Sequence, residues 1–206
     1  MSFGMRENLL AAGLAVFDRS GFEGATVAAI RAKARASNGS FFHVFGSKQE
    51  LAGALLLEVL RHYHAAMLAA LDPSPDAKQG IDRLIRAHLD WVVLSRREAR
   101  YLFEISRNEW SEDVRDAQRA QNARLAEGID RWRAPLVKSG ELLPMTPVMF
   151  VSQLIGPAQI FCRAFLSGRD RADPRTEADA LIACAIRALV PPEHIDRDER
   201  RYANAS

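Results

Sequence analysis

Three helix-start signals, at Thr26, Ser37 and Ser47, follow one another near the N-terminus. They constrain this chain more than any other feature. Thr26 precedes an apolar stripe that includes Ile30 and Ala34. Ser37 precedes a second short segment that ends near Phe45. Serine and threonine are common at helix starts because their side-chain oxygen accepts a hydrogen bond from a free backbone amide. Helices this short are not stable alone in water, so the pattern predicts two short helices joined by a tight turn and packed on longer neighbours.

Longer helices flank the two short segments. The pattern predicts a first helix over about residues 5–19 that ends near Gly21, because glycine is common just past a helix end. Downstream, Ser47 and Glu50 form a capping box that opens a long helix toward Leu71. The two short helices therefore have a long helix on each side to complete a small core.

The rest of the chain is also expected to be helical. Five further stretches are separated by proline, glycine and polar residues, and none shows the alternation of a strand. They cover approximately residues 77–94, 97–108, 111–138, 147–168 and 173–190. The sequence thus predicts an all-α fold of about nine helices.

Small residues where the two short helices cross indicate a helix-turn-helix unit, since Ala29, Ala32 and Gly39 permit close approach. Such a unit binds DNA. We therefore expect a three-helix helix-turn-helix DNA-binding domain, a larger helical domain and a polar tail, over residues 1–50, 51–190 and 191–206.

The overall charge gives little support to DNA binding. Against 26 acidic residues the chain has 28 Lys and Arg, a net charge of +2, so DNA contacts must come from local placement of charge. We see neither an apolar leader segment nor a run of about 18 apolar residues, so we expect a cytoplasmic protein without a membrane partner. Cys162 and Cys184 lie in apolar segments and are expected to be reduced core residues.

Motifs for catalysis are not evident in the sequence. Metal spacings of the HExxH or CxxC kind, phosphate loops and ordered Ser/His/Asp sets are lacking. Glu58 and His62 lie four residues apart on one helix face and could share a metal, although we expect a solvated pair. We therefore expect no enzyme activity, no catalytic residue, no metal and no cofactor.

The pattern between Thr26 and Leu51 resembles the tetracycline-repressor (TetR) family of transcriptional regulators. The residues that carry the resemblance are Thr26, Val27, Ile30, Ala34, Ser37, Gly39, Phe41, Phe42, His43, Phe45, Ser47, Lys48, Glu50 and Leu51. The resemblance implies an N-terminal DNA-binding domain and a C-terminal domain that binds a small molecule and forms a homodimer.

The resemblance also implies roles for single residues. The third helix would lie in the major groove, with Asn38 and Ser40 facing bases. Lys48 would hold a phosphate. The full set of DNA-binding residues implied in this way is Thr26, Arg35, Ser37, Asn38, Ser40, Phe42, His43 and Lys48. Arg31 and Lys33 add local positive charge or form a solvated face.

Two positions depart from the family pattern. Arg35 stands in the turn where the family usually has glycine, and a non-glycine residue at positive φ costs roughly 1–2 kcal/mol. Either the turn differs slightly, or Arg35 compensates by reaching a phosphate. Phe42 stands where the family usually has tyrosine, which removes a hydroxyl donor and leaves apolar contact with a sugar or a thymine methyl.

Residues 77–190 hold most of the large aromatic side chains, which form either the core or the wall of a ligand pocket. The resemblance implies a pocket for a small, largely apolar ligand among these helices. The candidate ligand-binding residues are His88, Trp91, Phe103, Arg107, Trp110, Gln153 and Phe161. Gly156 and Pro157 would bend their helix, either to make room for a ligand or to curve it around the core.

The last two helices are apolar over more than one face, which predicts burial on two sides. We infer a homodimer with a two-fold four-helix interface. The leading hypothesis is a repressor that binds an inverted-repeat operator in double-stranded DNA and is released by a small molecule. The alternatives are a DNA-binding regulator that responds to a protein partner and a helical enzyme.

Overall fold

A computed structural model describes residues 4–71, 75–105 and 110–195 of the chain. The regular elements in these ranges are helical, which confirms the predicted all-α class. The α-helices are α1 (Met5–Gly24), α2 (Val27–Ala34), α3 (Asn38–Val44), α4 (Lys48–Ala69), α5 (Ala77–Leu94), α6 (Arg96–Ile105), α7 (Glu112–Lys138), α8 (Pro147–Leu166) and α9 (Ala178–Leu189). A short 3-10 helix, Pro174–Glu177, precedes α9. Arg107 and the predicted tail beyond residue 195 lie outside the described residues.

The helix starts and stops near the N-terminus confirm the sequence signals. Gly21 lies at φ 66° and ψ 175°, so regular helix geometry is interrupted inside α1 where its end was predicted. Thr26 and Ser37 are the N-caps of α2 and α3, and their side chains accept bonds from backbone amides. At the start of α4, the Glu50 amide donates to Ser47 Oγ over 3.0 Å, and the Glu50 carboxylate accepts from the amide of Gly46 over 2.8 Å.

The chain divides into two compact units. The first comprises residues 4–63 and the described residues of 95–121; the second comprises the described residues of 64–94 and 122–195. Helices α4 and α7 each contribute to both units. This division reflects packing alone. The predicted boundary between the DNA-binding domain and the larger domain, after residue 50, stays a prediction.

In the first unit, α1 packs against α2, α3 and α6. Leu9, Ile30 and Phe41, from the first three helices, are completely buried. Tyr101 of α6 donates its hydroxyl to the carbonyl oxygen of Ala52 over 2.7 Å. The helix-turn-helix therefore rests on a core that α6 helps to close.

In the second unit, α5 packs against α8 and α9. Trp132 of α7 donates its indole N–H to the carbonyl oxygen of Pro75 over 2.9 Å, and its ring lies 6.1 Å from that of Phe150. A Cβ atom at Gly80 would lie 2.1 Å from Trp132 Cζ2. Glycine is therefore required where α5 passes this fixed indole.

Helix α8 presents apolar side chains on both sides. Val148 is 78% exposed and Ile160 is 63% exposed. In the described part of the chain, α8 alone is long and apolar enough to cross a membrane. The sequence was expected to contain no such run; length and composition alone do not identify a membrane span. The helix continues through Pro157 without interruption.

The two cysteines differ in environment. Cys162 is buried, as expected, and burial raises the pKa of its thiol to about 11. Cys184 is exposed, so its prediction as a core residue was wrong. Cys184 lies on the outer face of α9, whereas the inner face carries Ile182, Ala185 and Leu189.

Candidate nucleic-acid interface

Backbone hydrogen bonds fix the turn between α2 and α3. Arg35 lies in the left-handed region at φ 53° and ψ 38°. The amide of Arg35 donates to the carbonyl oxygen of Ala32 over 3.3 Å, and the amide of Ala36 donates to that of Arg31 over 2.9 Å. The turn therefore keeps the geometry for which glycine is favoured, although it contains arginine.

Side chains behind the turn hold the two helices in place. Asn8 of α1 donates its side-chain amide to the carbonyl oxygen of Ala34, the last residue of α2, over 2.8 Å. Phe41 and Phe45 are buried. Phe42 packs edge-on against Phe41 with ring centroids 5.2 Å apart, but it remains 49% exposed. Phe42 can therefore offer an apolar surface to a partner.

The outer side of α3 is a continuous exposed strip formed by Asn38, Gly39, Phe42 and His43, here called the reading surface. Residues three and four apart lie on one helix face, so these side chains form a single patch. Glycine keeps the middle of the patch low, and a Cβ atom at Gly39 would meet only Ser37 Oγ, at 3.9 Å. The patch combines an amide, an aromatic ring and an imidazole.

The three predicted hydroxyl contacts are already engaged within the protein. Thr26 Oγ1 accepts a hydrogen bond from the amide of Ala29 over 3.1 Å. Ser37 Oγ accepts from the amide of Ser40 over 3.0 Å and shares a second hydrogen bond with Ser40 Oγ at 2.8 Å. These hydroxyls shape the helix starts, and contact with DNA would have to use their remaining lone pairs or hydrogen.

Lys48 is held more tightly than the sequence suggested. Its ammonium group donates to the carbonyl oxygens of Phe22 and Ala25 over 2.7 Å and 3.0 Å. It also lies 4.4 Å from the centre of the Phe22 ring. Because an ammonium group has three N–H donors, one donor is left for a phosphate. Lys48 therefore ties α4 to the end of α1, a role that the resemblance did not indicate.

Arg31 and Lys33 differ in their surroundings. Lys33 is exposed on α2. Arg31 is half-buried and donates from Nη1 to Oδ1 of Asn38 over 2.9 Å. Sequence reasoning could not detect this contact, because the two residues lie seven positions apart on different helices.

The local charge around the turn is entirely positive. From Thr26 to Gln49 the chain contains Arg31, Lys33, Arg35 and Lys48 and no acidic residue. A nearly neutral protein thus concentrates basic residues around the exposed turn between α2 and α3. Such local basic charge is the electrostatic feature expected at a phosphate backbone.

The predicted ligand-binding residues are divided between the two units. Phe103 and Trp110 lie in the first unit, where Trp110 is buried beside Gly53. In the second unit His88 and Trp91 are buried on α5. Burial lowers the pKa of His88 to about 4, so its imidazole is neutral at physiological pH.

The remaining candidates lie on α8 or outside the described residues. Gln153 is exposed and lies 3.7 Å from Met149 Sδ, and Phe161 is 39% exposed. Arg107 lies outside the described residues. The buried pair on α5 and the exposed pair on α8 therefore occupy different environments.

A cavity in the first unit was not anticipated. It has a volume of about 280 Å³ and lies between the end of α1 and α6. Its walls include the rings of Phe17, Phe22 and Tyr101, with Glu23 and Glu104 among the polar residues. No sequence signal indicated it, because its walls come from segments far apart in the chain.

Glu58 and His62 lie in a cluster of paired polar side chains on α4 and α6. Glu58 pairs with Arg61 at 2.6 Å, and His62 lies 3.3 Å from Glu58 and 3.5 Å from Glu98. The Arg61 hydrogen bond lowers the pKa of Glu58. Within the described residues, no group of three or more His, Cys, Asp or Glu side chains could hold a metal ion.

The comparisons with known proteins agree with this geometry. Residues 9–55 match the family model described as bacterial regulatory proteins, tetR family. No curated protein matches the chain significantly.

Solved structures match along most of the chain. A tetR family transcription regulator from Shewanella sp. PV-4 is 26% identical, with a TM-score of 0.71 and coverage of 92% of this chain and 100% of its own. A bacterial regulatory protein in the tetR family from Rhodococcus RHA1 is 22% identical, with a TM-score of 0.72 and coverage of 90% and 97%. The transcriptional regulator FadR from Bacillus subtilis, solved in complex with stearoyl-CoA, is 14% identical, with a TM-score of 0.75 and coverage of 87% and 97%. Residues 9–55 therefore match the DNA-binding segment of the tetR family of bacterial regulatory proteins, and the chain has the fold of tetR family transcription regulators along most of its length.

Proposed function

We propose that this protein is a transcriptional repressor that binds an inverted-repeat operator through its reading surface. The observation that carries the proposal is the exposed α3 strip beside four basic residues with no acidic residue between Thr26 and Gln49. The strip offers side chains to base edges, and the surrounding cations can neutralise phosphates.

The predicted DNA contacts fall into three kinds. Asn38 of the reading surface and the half-buried Ser40 beside it are proposed to face bases. Phe42 and His43 are proposed to lie near the sugar-phosphate backbone. Thr26, Arg35 and Lys48 are proposed to lie near phosphates, and Ser37 is a further DNA-binding candidate at the start of α3. The side chain of Arg35 is exposed at the turn and is therefore available to a phosphate, whatever strain its positive φ places on the backbone.

A binding titration tests the proposal. Duplexes from the intergenic DNA beside the gene would be titrated by fluorescence anisotropy at several salt concentrations. We expect log affinity to fall linearly with log salt, with a slope of about −0.9 for each phosphate contact. Failure to bind any such duplex, or a random duplex library, at low salt would contradict the proposal.

The working form is proposed to be a homodimer, with the outer face of α8 against a second copy. This face exposes Val148, Met149, Val151, Ile160 and Phe161. A soluble protein rarely leaves so large an apolar surface without a partner. A second copy would bury these side chains in a protein that we propose to be cytoplasmic. It would also place the two reading surfaces on successive major grooves of DNA.

The second domain is proposed to bind a small, largely apolar molecule that releases the operator. His88 and Trp91 form the polar and aromatic part of the proposed site, and both are buried on α5. The Bacillus subtilis structure, which has the same fold, holds stearoyl-CoA. By linkage, ligand and operator weaken each other's binding by the same factor.

Stearoyl-CoA is a suitable first probe for release, with free coenzyme A as its control. Release of the operator by stearoyl-CoA alone supports an acyl ligand. If neither compound releases the operator but a purified protein partner does, the regulator responds to a protein instead. No catalysis is proposed.

A further inference from the structure

We propose that Arg31 and Asn38 act together as a specificity-determining pair that reads a guanine in the major groove. The proposal rests on the DNA-binding function proposed above and adds to it a residue on α2. It also names the base. The observation behind it is the 2.9 Å hydrogen bond from Arg31 Nη1 to Asn38 Oδ1 at the exposed start of α3.

The chemistry of arginine fixes the orientation of the Asn38 amide. A guanidinium group only donates hydrogen bonds, whereas a side-chain amide has one accepting oxygen and one donating nitrogen. Turning the amide over would bring N–H groups of both residues together. Asn38 must therefore direct Oδ1 at Arg31, which directs Nδ2 away from it.

This orientation changes which base Asn38 can recognise. Asparagine reads adenine by accepting from N6 and donating to N7, so it needs both amide atoms. In this protein Arg31 occupies the amide oxygen. Nδ2 of Asn38 and the remaining N–H groups of Arg31 form an edge made mainly of donors. Guanine presents two acceptors, O6 and N7, on its major-groove edge, and the donor edge suits it.

The position of Arg31 favours a fixed edge. Its Nε atom is enclosed by protein and has no hydrogen-bond partner, while the bond from Nη1 to Asn38 is exposed. The terminal nitrogens are therefore the atoms that can reach DNA. Because the guanidinium is already oriented, less conformational entropy is lost on binding.

A phosphate could accept from the same donors, and the test must separate the two outcomes. Binding to a phosphate would strengthen all duplexes alike, whereas reading a guanine changes the preferred base at one position of each half-site. Base preference is therefore the informative measurement.

The experiment selects binding sites for the full-length protein from a random duplex library. The variants are Arg31→Met, which keeps the apolar stem, and Arg31→Ala. Lys33→Met is the matched control, because it removes an exposed cation from the same helix. Thermal unfolding confirms that each variant is folded.

We expect the native protein to select guanine at one half-site position. Both Arg31 variants should lose this preference by roughly tenfold to a hundredfold and move toward adenine, since Asn38 Oδ1 is released. The Lys33 variant should weaken binding but keep the same base preferences. Replacing the selected guanine with 7-deazaguanine should weaken the native protein and leave the Arg31 variants unaffected.

Two outcomes overturn the inference in different ways. If the Arg31 variants select the same bases as the native protein, the pair does not read a base, and uniformly weaker binding assigns Arg31 to a phosphate. If the native protein selects no sequence and binds no duplex, the proposed function fails as well.

Discussion

At the scale of the single residue, Arg35 is the clearest departure from local preference. Its left-handed backbone, at φ 53°, is one that glycine adopts without strain. Two backbone hydrogen bonds close the turn around it. The turn therefore keeps its geometry at a cost in stability, and the exposed guanidinium at this position is consistent with a contribution to phosphate binding.

Replacing Arg35 separates these two effects. We expect Arg35→Gly to raise the free energy of unfolding by about 0.5–1 kcal/mol, because relief of backbone strain outweighs the greater freedom of glycine in the unfolded chain. The same variant should bind DNA more weakly. Urea unfolding and a salt titration measure the two quantities.

The control for Arg35→Gly is Ala32→Gly, at an exposed position inside α2. Because Ala32 has helical geometry, glycine there should lower stability by roughly 0.5–1 kcal/mol. The two variants should thus change stability in opposite directions. A loss of stability in Arg35→Gly would show that the arginine is not strained.

His88 makes the second unit sensitive to acid. Burial lowers its folded-state pKa from 6.5 to about 4. Between pH 6.5 and pH 4 the unfolded chain therefore binds a proton at His88 that the folded protein does not bind. The free energy of unfolding consequently falls as the pH decreases through this range. Burial lowers the pKa of His64 as well, in the same direction.

We expect the free energy of unfolding to fall by about 1.5 kcal/mol between pH 6.5 and pH 5 because of His88. Urea titrations across this range measure the change. His88→Phe should make the dependence shallower, and His43→Gln, at an exposed position on α3, should retain it. Equal slopes for the native protein and His88→Phe would contradict the assignment.

At the scale of the element, Lys48 links two helices through its side chain. It is the first residue of α4, and its ammonium bonds the carbonyl oxygens of Phe22 and Ala25 at the end of α1. These carbonyls follow the interruption at Gly21. The lysine therefore supplies hydrogen bonds to carbonyl oxygens that have no further turn of α1 to bond with.

We expect Lys48→Met to lower the free energy of unfolding by roughly 1–3 kcal/mol, because it removes two hydrogen bonds from a charged donor. DNA affinity should fall together with stability. Lys33→Met, on the exposed face of α2, should reduce affinity with little change in stability. If Lys48→Met weakens DNA binding without any loss of stability, its main role is at the phosphate.

At the scale of the whole molecule, the outer face of α8 determines the proposed assembly. Its apolar side chains are exposed in the single chain, and a second copy would bury them. Two-fold symmetry then requires the same residues on both sides of the interface.

We expect the double variant Val148→Asp and Ile160→Asp to be monomeric at micromolar concentration, because each change would place a charge in the proposed interface. Sedimentation velocity measures the mass, and operator affinity should fall with loss of the dimer. Arg131→Glu, on the exposed side of α7, is the control and should remain dimeric. A native protein that sediments as a monomer would contradict the proposed interface.

Much of the fold could be predicted because its signals are local. The caps at Thr26, Ser37 and Ser47 act over three or four residues, and Gly21 interrupts its helix through its own backbone. Periodic apolar positions identified the helices for the same reason. The candidate ligand residues could not be sorted, because burial of His88 and exposure of Phe161 depend on packing between distant helices.

The sequence alone determined the helical class and the two short helices with their turn, since both follow from hydrogen bonds and spacing within a few residues. The exposed strip of α3 was seen only in the structure. Only the tertiary structure decided what the side chains around that strip contact. It turned Lys48 toward the end of α1 and placed Arg31 beside Asn38, because such contacts join residues on different helices and depend on how those helices pack.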